Sequence, residues 1–187
     1  KNILLEQNGY VQNLFEFEMV NSIVVDGANR KWVGTSKAGV FLISENGTEQ
    51  LLNFDEDNSP LLSNQITTIT MDKESGEVYF GTTAGIISYR GTATEGASNY
   101  NDYLVFPNPV REDYTGVITV KGLMENSFCK VVDGSGFLLW QGYANGGTLT
   151  WNGKDFNGNR PATGVYLIFA SSDTGEEKQV AKLLFVK

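Results

Sequence analysis

The string Trp32-Val33-Gly34-Thr35, followed by Gly39-Val40-Phe41-Leu42-Ile43, returns as Tyr79-Phe80-Gly81-Thr82, followed by Gly85-Ile86-Ile87-Ser88-Tyr89. From Gly34 to Gly81 the step is 47 residues. Upstream, Ile23-Val24-Val25-Asp26 matches Ile69-Thr70-Met71-Asp72 at a step of 46, which places one added residue in the Lys73-Glu74-Ser75-Gly76 turn. A repeat of this period built only from strand patterns is the sequence signature of propeller blades. The same comparison reaches the start of the chain, where Ile3-Leu4-Leu5-Glu6-Gln7-Asn8-Gly9 reads like Phe41-Leu42-Ile43-Ser44-Glu45-Asn46-Gly47. The chain is therefore expected to begin inside a blade. A ring takes about 4 to 8 four-stranded blades, and residues 1–90 hold two blades and half of a third. This reads as the C-terminal piece of a longer propeller, with open blade edges through which two copies could self-associate.

Composition narrows the function classes. The 187 residues, 41% of them apolar, suffice for one or two domains with packed cores. The absence of His removes the commonest general base, the imidazole of most zinc sites and the usual serine or cysteine triad. The chain reads as non-enzymatic, with no cofactor and no metal. A net charge of −8 argues against a nucleic-acid groove, which needs clustered Lys and Arg. The single cysteine, Cys129, cannot form an internal disulfide, and its apolar flanks mark a small buried hydrophobe. No stretch approaches the roughly 20 apolar residues of a membrane span. Asn46-Gly47-Thr48 fits the glycosylation acceptor pattern but is first a hairpin turn.

Strand patterns alternate with turn clusters throughout, with no sustained 3.6-residue period. The first full blade is predicted over 20–26, 31–35, 39–44 and 49–54. The second repeats only three strands, 65–71, 77–81 and 84–90, so a fourth is expected from elsewhere, as when a ring closes with strands from both ends. Residues 91–102, small and polar, read as a linker. Beyond them lie candidate strands at 103–106, 116–121, 127–132, 137–143, 147–151, 164–171 and 178–186. Turn clusters at Asp133-Gly134-Ser135-Gly136, Asn145-Gly146-Gly147, Asn157-Gly158-Asn159 and Thr174-Gly175-Glu176 separate several of them. Seven short strands at this spacing predict an immunoglobulin-like β-sandwich over 103–187. Its apolar runs at 165–169 and 183–186 look like central strands covered on both faces.

Few residues offer chemistry. The acidic loop Asp55-Glu56-Asp57-Asn58 and the run Asp155-Phe156-Asn157-Gly158-Asn159 each resemble part of a calcium loop, but neither completes its spacing, and turns explain both. Trp32 and Tyr79 hold equivalent blade positions, where packing between neighbours is the usual role. Trp140 and Trp151 read as core or core-edge residues. Gly34-Thr35 and Gly81-Thr82 lack the Lys and helix of a phosphate loop, so the glycines are expected to allow close strand approach.

These residues carry a resemblance. Leu62-Ser63-Asn64-Gln65-Ile66, residues 69–72, then Gly76-Glu77-Val78-Tyr79-Phe80-Gly81-Thr82 and Gly85, together with residues 21–43, resemble the two-component-regulator propeller repeat. The second part carries Val105-Phe106-Pro107-Asn108-Pro109-Val110, residues 118–123, Val131-Val132-Asp133-Gly134-Ser135-Gly136, Trp151-Asn152-Gly153-Lys154-Asp155, Gly158, Thr163-Gly164-Val165-Tyr166 and the closing Lys182-Leu183-Leu184-Phe185-Val186-Lys187. As a set it is similar to the C-terminal sorting domain of the type IX secretion system. Phe106 stands where that family often has Tyr, and Asn152 where it often has Asp.

A propeller followed by such a domain resembles a cell-surface component of that secretion system that keeps its terminal domain. The resemblance implies export through the periplasm, to the extracellular face of the outer membrane or beyond. The implied partners are secretion-machinery or outer-membrane proteins, with a glycan or lipopolysaccharide as a further ligand class. It selects Pro107, Asn108, Pro109, Gly134, Gly136, Gly164, Tyr166, Lys182 and Lys187 as sorting-motif candidates. In this reading the strand edges and an exposed Pro107-Asn108-Pro109 entry are read by a receptor. The blade motif, Trp32, Gly34, Thr35, Tyr79, Gly81 and Thr82, reads as structural. Two other functions stay open: the extracytoplasmic glycan-sensing region of a two-component regulator, and an accessory module of a secreted hydrolase.

Overall fold

The computed structural model describes the chain except residues 1–3, 8–9, 14, 174 and 176. The predicted Asn8-Gly9 turn, Ile3, and the Thr174 and Glu176 ends of the last turn cluster lie outside the described residues. The described chain is all-β and divides into two compact units, Lys1–Gly91 and Thr92–Lys187.

The first unit opens with a two-stranded antiparallel sheet, β1 (Leu4–Gln7) and β2 (Tyr10–Asn13). Next comes a four-stranded antiparallel meander of β3 (Val20–Val25), β4 (Lys31–Thr35), β5 (Val40–Ile43) and β6 (Gln50–Phe54). A three-stranded meander of β7 (Ile66–Asp72), β8 (Glu77–Thr82) and β9 (Gly85–Arg90) follows. Two blades and a half-blade are what the repeat demands, and no fourth strand pairs with β9 among the described residues. Alternation along each strand sends one set of side chains to each face. Trp32, Val40 and Leu42 of the first blade thereby meet Ile66, Ile69, Val78 and Phe80 of the second in one buried cluster.

The two blades differ at equivalent faces. Ile69 is buried and Met71 half-buried, whereas their first-blade equivalents Ile23 and Val25 are 59% and 44% exposed. On the far face of the second blade, Thr70, Tyr79 and Ser88 stand exposed where the first blade buries Trp32 and Leu42 and half-buries Val24. The repeat conserves backbone pattern, while side-chain polarity tracks what each face meets.

The second unit is a sandwich of two antiparallel sheets. One is built from β10 (Leu104–Phe106), β11 (Ile118–Lys121) and β14 (Thr148–Trp151). The other contains β12 (Phe128–Val132), β13 (Leu138–Tyr143), β15 (Gly164–Ser171) and β16 (Glu177–Phe185), in the order β13-β12-β15-β16. Between them Val120, Leu149 and Trp151 pack against Cys129, Val131, Ile168, Leu183 and Phe185.

Two expectations are corrected here. Residues 92–102 are no free linker, since they belong to the second unit. Ala93 and Tyr100 are buried, and parallel bridges join Thr94 to Gly146 and Ala97 to Met124. Gly147 N donates to Thr94 O at 2.9 Å, Ala97 N to Leu123 O at 2.8 Å, and the Tyr100 and Ser127 hydroxyls meet at 2.8 Å. The small residues serve contact: a Cβ on Gly96 would sit 2.6 Å from Glu125 N. The apolar runs of β15 and β16 are also not covered on both sides. Val165 is 51% and Leu184 37% exposed, and Leu167 and Phe169 are half-buried.

Candidate functional site

The blade motif residues do local structural work. Thr35 Oγ1 donates to Gly39 O at 3.0 Å and accepts from Ala38 N at 2.9 Å, bracing the β4–β5 turn. Thr82 repeats this toward Gly85 O at 2.9 Å and Ala84 N at 3.1 Å. Gly34 lies under the second blade, where an added Cβ would sit 2.5 Å from Ile66 Cγ2. Gly81 instead faces its own Thr68. Trp32 is sandwiched by rings, with centroids 5.5 Å from Phe80, 5.6 Å from Tyr89 and 6.2 Å from Phe54. Tyr79, its repeat partner, is 40% exposed. Two residues not singled out in the sequence stitch the inner strands: Asn21 Nδ2 donates to Ile66 O at 2.7 Å, and Ile69 N donates to Ser22 Oγ at 2.9 Å.

In the second unit the sorting-motif candidates converge on one end of the four-stranded sheet. The register sets Val132 opposite Leu167 and Gly164 opposite Phe185, so the Gly134–Gly136 hairpin turn, Gly164, Tyr166 and the end of β16 share that end. Lys187 follows β16 as an exposed residue. Tyr166 stacks edge-on to Phe185 at 5.3 Å, and its hydroxyl donates to Ala162 O at 2.9 Å. Burial raises its pKa, with the Asp133 carboxylate adding to the effect. Asp133 accepts from Ser135 Oγ at 2.6 Å and from the Ser135 and Phe137 amides, and these bonds, the Ser135 hydroxyl first, hold its pKa below the usual carboxylate range.

Asn108 and Pro109 are exposed and Pro107 is half-buried, so the segment lies at the surface as expected, but it is hydrogen-bonded in place rather than free. It forms a strap along the outer edge of β16. Asn108 Nδ2 donates to Lys182 O at 2.9 Å, and Leu184 N donates to Asn108 Oδ1 at 3.0 Å. Val110 N donates to Leu184 O at 2.7 Å, and Val186 N to Val110 O at 3.0 Å, a parallel bridge opposite Phe185. The Asn108 carboxamide thus stands in for the peptide group that proline, lacking N–H, cannot supply. Arg160 secures the next turn, donating to Arg111 O at 2.5 Å and to Val110 O and Tyr114 O at 3.3 Å while lying over the Phe185 ring. The sequence carries no signal for Arg160, because its partners are backbone carbonyls about 50 residues away.

Cys129 is fully buried, and burial pushes its thiol up to about 12. A thiol held so far above neutral pH is no nucleophile. A disulfide-exchange reagent should leave it unlabelled in the native protein and label it fully in denaturant. Rapid native labelling would contradict the burial. The two calcium-like loops use their carboxylates internally. Asp55 Oδ1 accepts from Asp57 and Asn58 N, and Asp155 Oδ1 from Asn157 and Asn159 N. Among the described residues no group of three acidic, His or Cys side chains could hold a metal ion.

No family model matches the sequence, and no curated protein matches it. Among solved structures it is similar to PorZ of Porphyromonas gingivalis, described as an essential surface component of the type IX secretion system. The identity is 29% over 100% of this chain, with a TM-score of 0.67. The chain spans 25% of that PorZ chain. Dimeric latent PorU of the same organism aligns with 59% of this chain and 12% of its own at 16% identity, TM-score 0.35. The extracellular domain of a putative one-component system of Bacteroides thetaiotaomicron aligns with 95% of this chain and 27% of its own at 13% identity, TM-score 0.33. Both superpositions are too loose to bear on this chain.

Proposed function

We propose that the chain is the C-terminal part of a non-enzymatic surface protein of the type IX secretion kind. In this reading propeller blades serve as a binding scaffold and residues 92–187 act as a folded export address. The observation that carries the reading is the similarity to PorZ along the whole chain, at a TM-score of 0.67. The exposed Ile23 and Val25 support the propeller half. Their equivalents Ile69 and Met71 pack against another blade, so this face has the chemistry of one awaiting a neighbour. The single end of the β-sandwich that gathers Asn108, Gly134, Gly136, Gly164 and Lys182 around the buried Tyr166 is the surface a receptor would read. The machinery that exports such proteins is the proposed partner.

Attaching residues 92–187 to the C-terminus of a periplasmic reporter, in a bacterium with a working type IX system, tests the address directly. The reporter should become accessible to protease added to intact cells, and should stay protected in a strain whose secretion system is disabled. Periplasmic retention in the competent strain, with the attached unit folded, would overturn the reading.

A further inference from the structure

We infer that the outer edge of β16 is a latent interface for a second copy of this chain, kept closed by the residue 107–110 strap. An edge strand presents unpaired N–H and C=O groups, and proteins block such edges to prevent unwanted pairing. Over residues 182–186 the strap takes four of these outward groups: Lys182 O, Leu184 N, Leu184 O and Val186 N are bonded by Asn108 and Val110.

This row of groups is self-complementary. Leu184 turns both its N–H and its C=O outward, as a residue in a hydrogen-bonded antiparallel pair does. A second β16 approaching antiparallel, with the two-fold axis at Leu184, would exchange two bonds between the two Leu184 residues. Lys182 would then face Val186 of the second copy. No like charges meet in that register, and the half-exposed Leu184 side chains come together at the axis. Such an isologous contact closes on itself as a dimer instead of propagating. The strap is suited to guard rather than extend the sheet. Neither Pro107 nor Pro109 has an N–H to offer a further strand, and one side chain, Asn108, holds two of the four bonds.

Amide exchange and solution mass test this on the whole chain. Asn108→Ala should speed exchange of the Leu184 amide about tenfold at low protein concentration. It should also add a concentration-dependent doubling of mass that the wild type, measured alongside, lacks. Arg160→Ala, which loosens the other end of the strap, should shift both readouts the same way by less. In the Asn108→Ala background, Leu184→Lys sets like charges opposite each other at the axis and should abolish the doubling. The inference is overturned if Leu184 exchange is unchanged in Asn108→Ala. It is equally overturned if exchange speeds up with no added association, or if the doubling survives Leu184→Lys. Should the Cys129 and Val131 amides of β12 also lose protection in Asn108→Ala, the unit has opened globally, and Arg160→Ala decides the matter by the same criteria.

Discussion

Removing residues 178–187 should unfold the second unit completely while the first unit keeps its own thermal transition. The segment supplies nearly all of β16, which pairs with β15 from Gly164 opposite Phe185 to Ser171 opposite Glu177. It also carries Ala181, Leu183 and Phe185, each 1% exposed or less. Phe185 alone touches Trp151, Tyr166 and Arg160. Burying one large apolar side chain contributes about 1.5–3 kcal/mol, and a domain's whole net stability is about 5–15 kcal/mol. Loss of two such side chains, an edge strand and the seat of the strap leaves nothing to hold the sandwich closed. The buried cluster of the first unit draws its residues from Trp32 to Phe80, so it should survive. Calorimetry should show one transition where the intact chain shows two, and near-ultraviolet circular dichroism should lose the Trp140 and Trp151 signals. If the export reading holds, the truncated protein should also remain in the periplasm. A truncated second unit that still melts cooperatively would refute the structural prediction, and its normal display on the cell surface would refute the export reading.

The second large effect lies at the equivalent positions Trp32 and Tyr79. Trp32→Ala should destabilise the first unit by about 3–5 kcal/mol, because it opens a cavity among Phe54, Phe80 and Tyr89 that the surrounding strands cannot close. Tyr79→Ala, at the matching position of the next blade, should cost far less, about 1 kcal/mol or below, since that residue is 40% exposed. Chemical denaturation followed through the first unit's transition separates the two. Similar losses at both sites would mean that the far face of the second blade is covered in solution. Together the pair measures what the neighbouring blade contributes, with local sequence held nearly constant.

The contrast between Trp32 and Tyr79 also marks where sequence reading stops. The repeat by itself determined the blade strands and their turns, because period-two alternation and φ-permissive turn residues are local properties of the backbone. The same local signals placed the seven strands of the sandwich. Which blade faces are covered was not local, and only the packed structure shows Trp32 enclosed and Tyr79 free. Residues 91–102 failed as a linker for a related reason. Gly96 and Ala93 look flexible in one dimension, yet small side chains are also what lets one backbone lie against another, as Gly96 does beside Glu125.

At the candidate site the resemblance picked out Asn108 and Lys182, about 74 residues apart, without any means of joining them. Their connection runs through main-chain amides and carbonyls, which every residue possesses and no side-chain pattern advertises. Arg160 was invisible for that reason. Residue identity determined which strands could form and which side chains could serve as surrogates for a peptide group. The tertiary structure decided which edge that surrogate closes, because an edge exists only once the sheet has assembled.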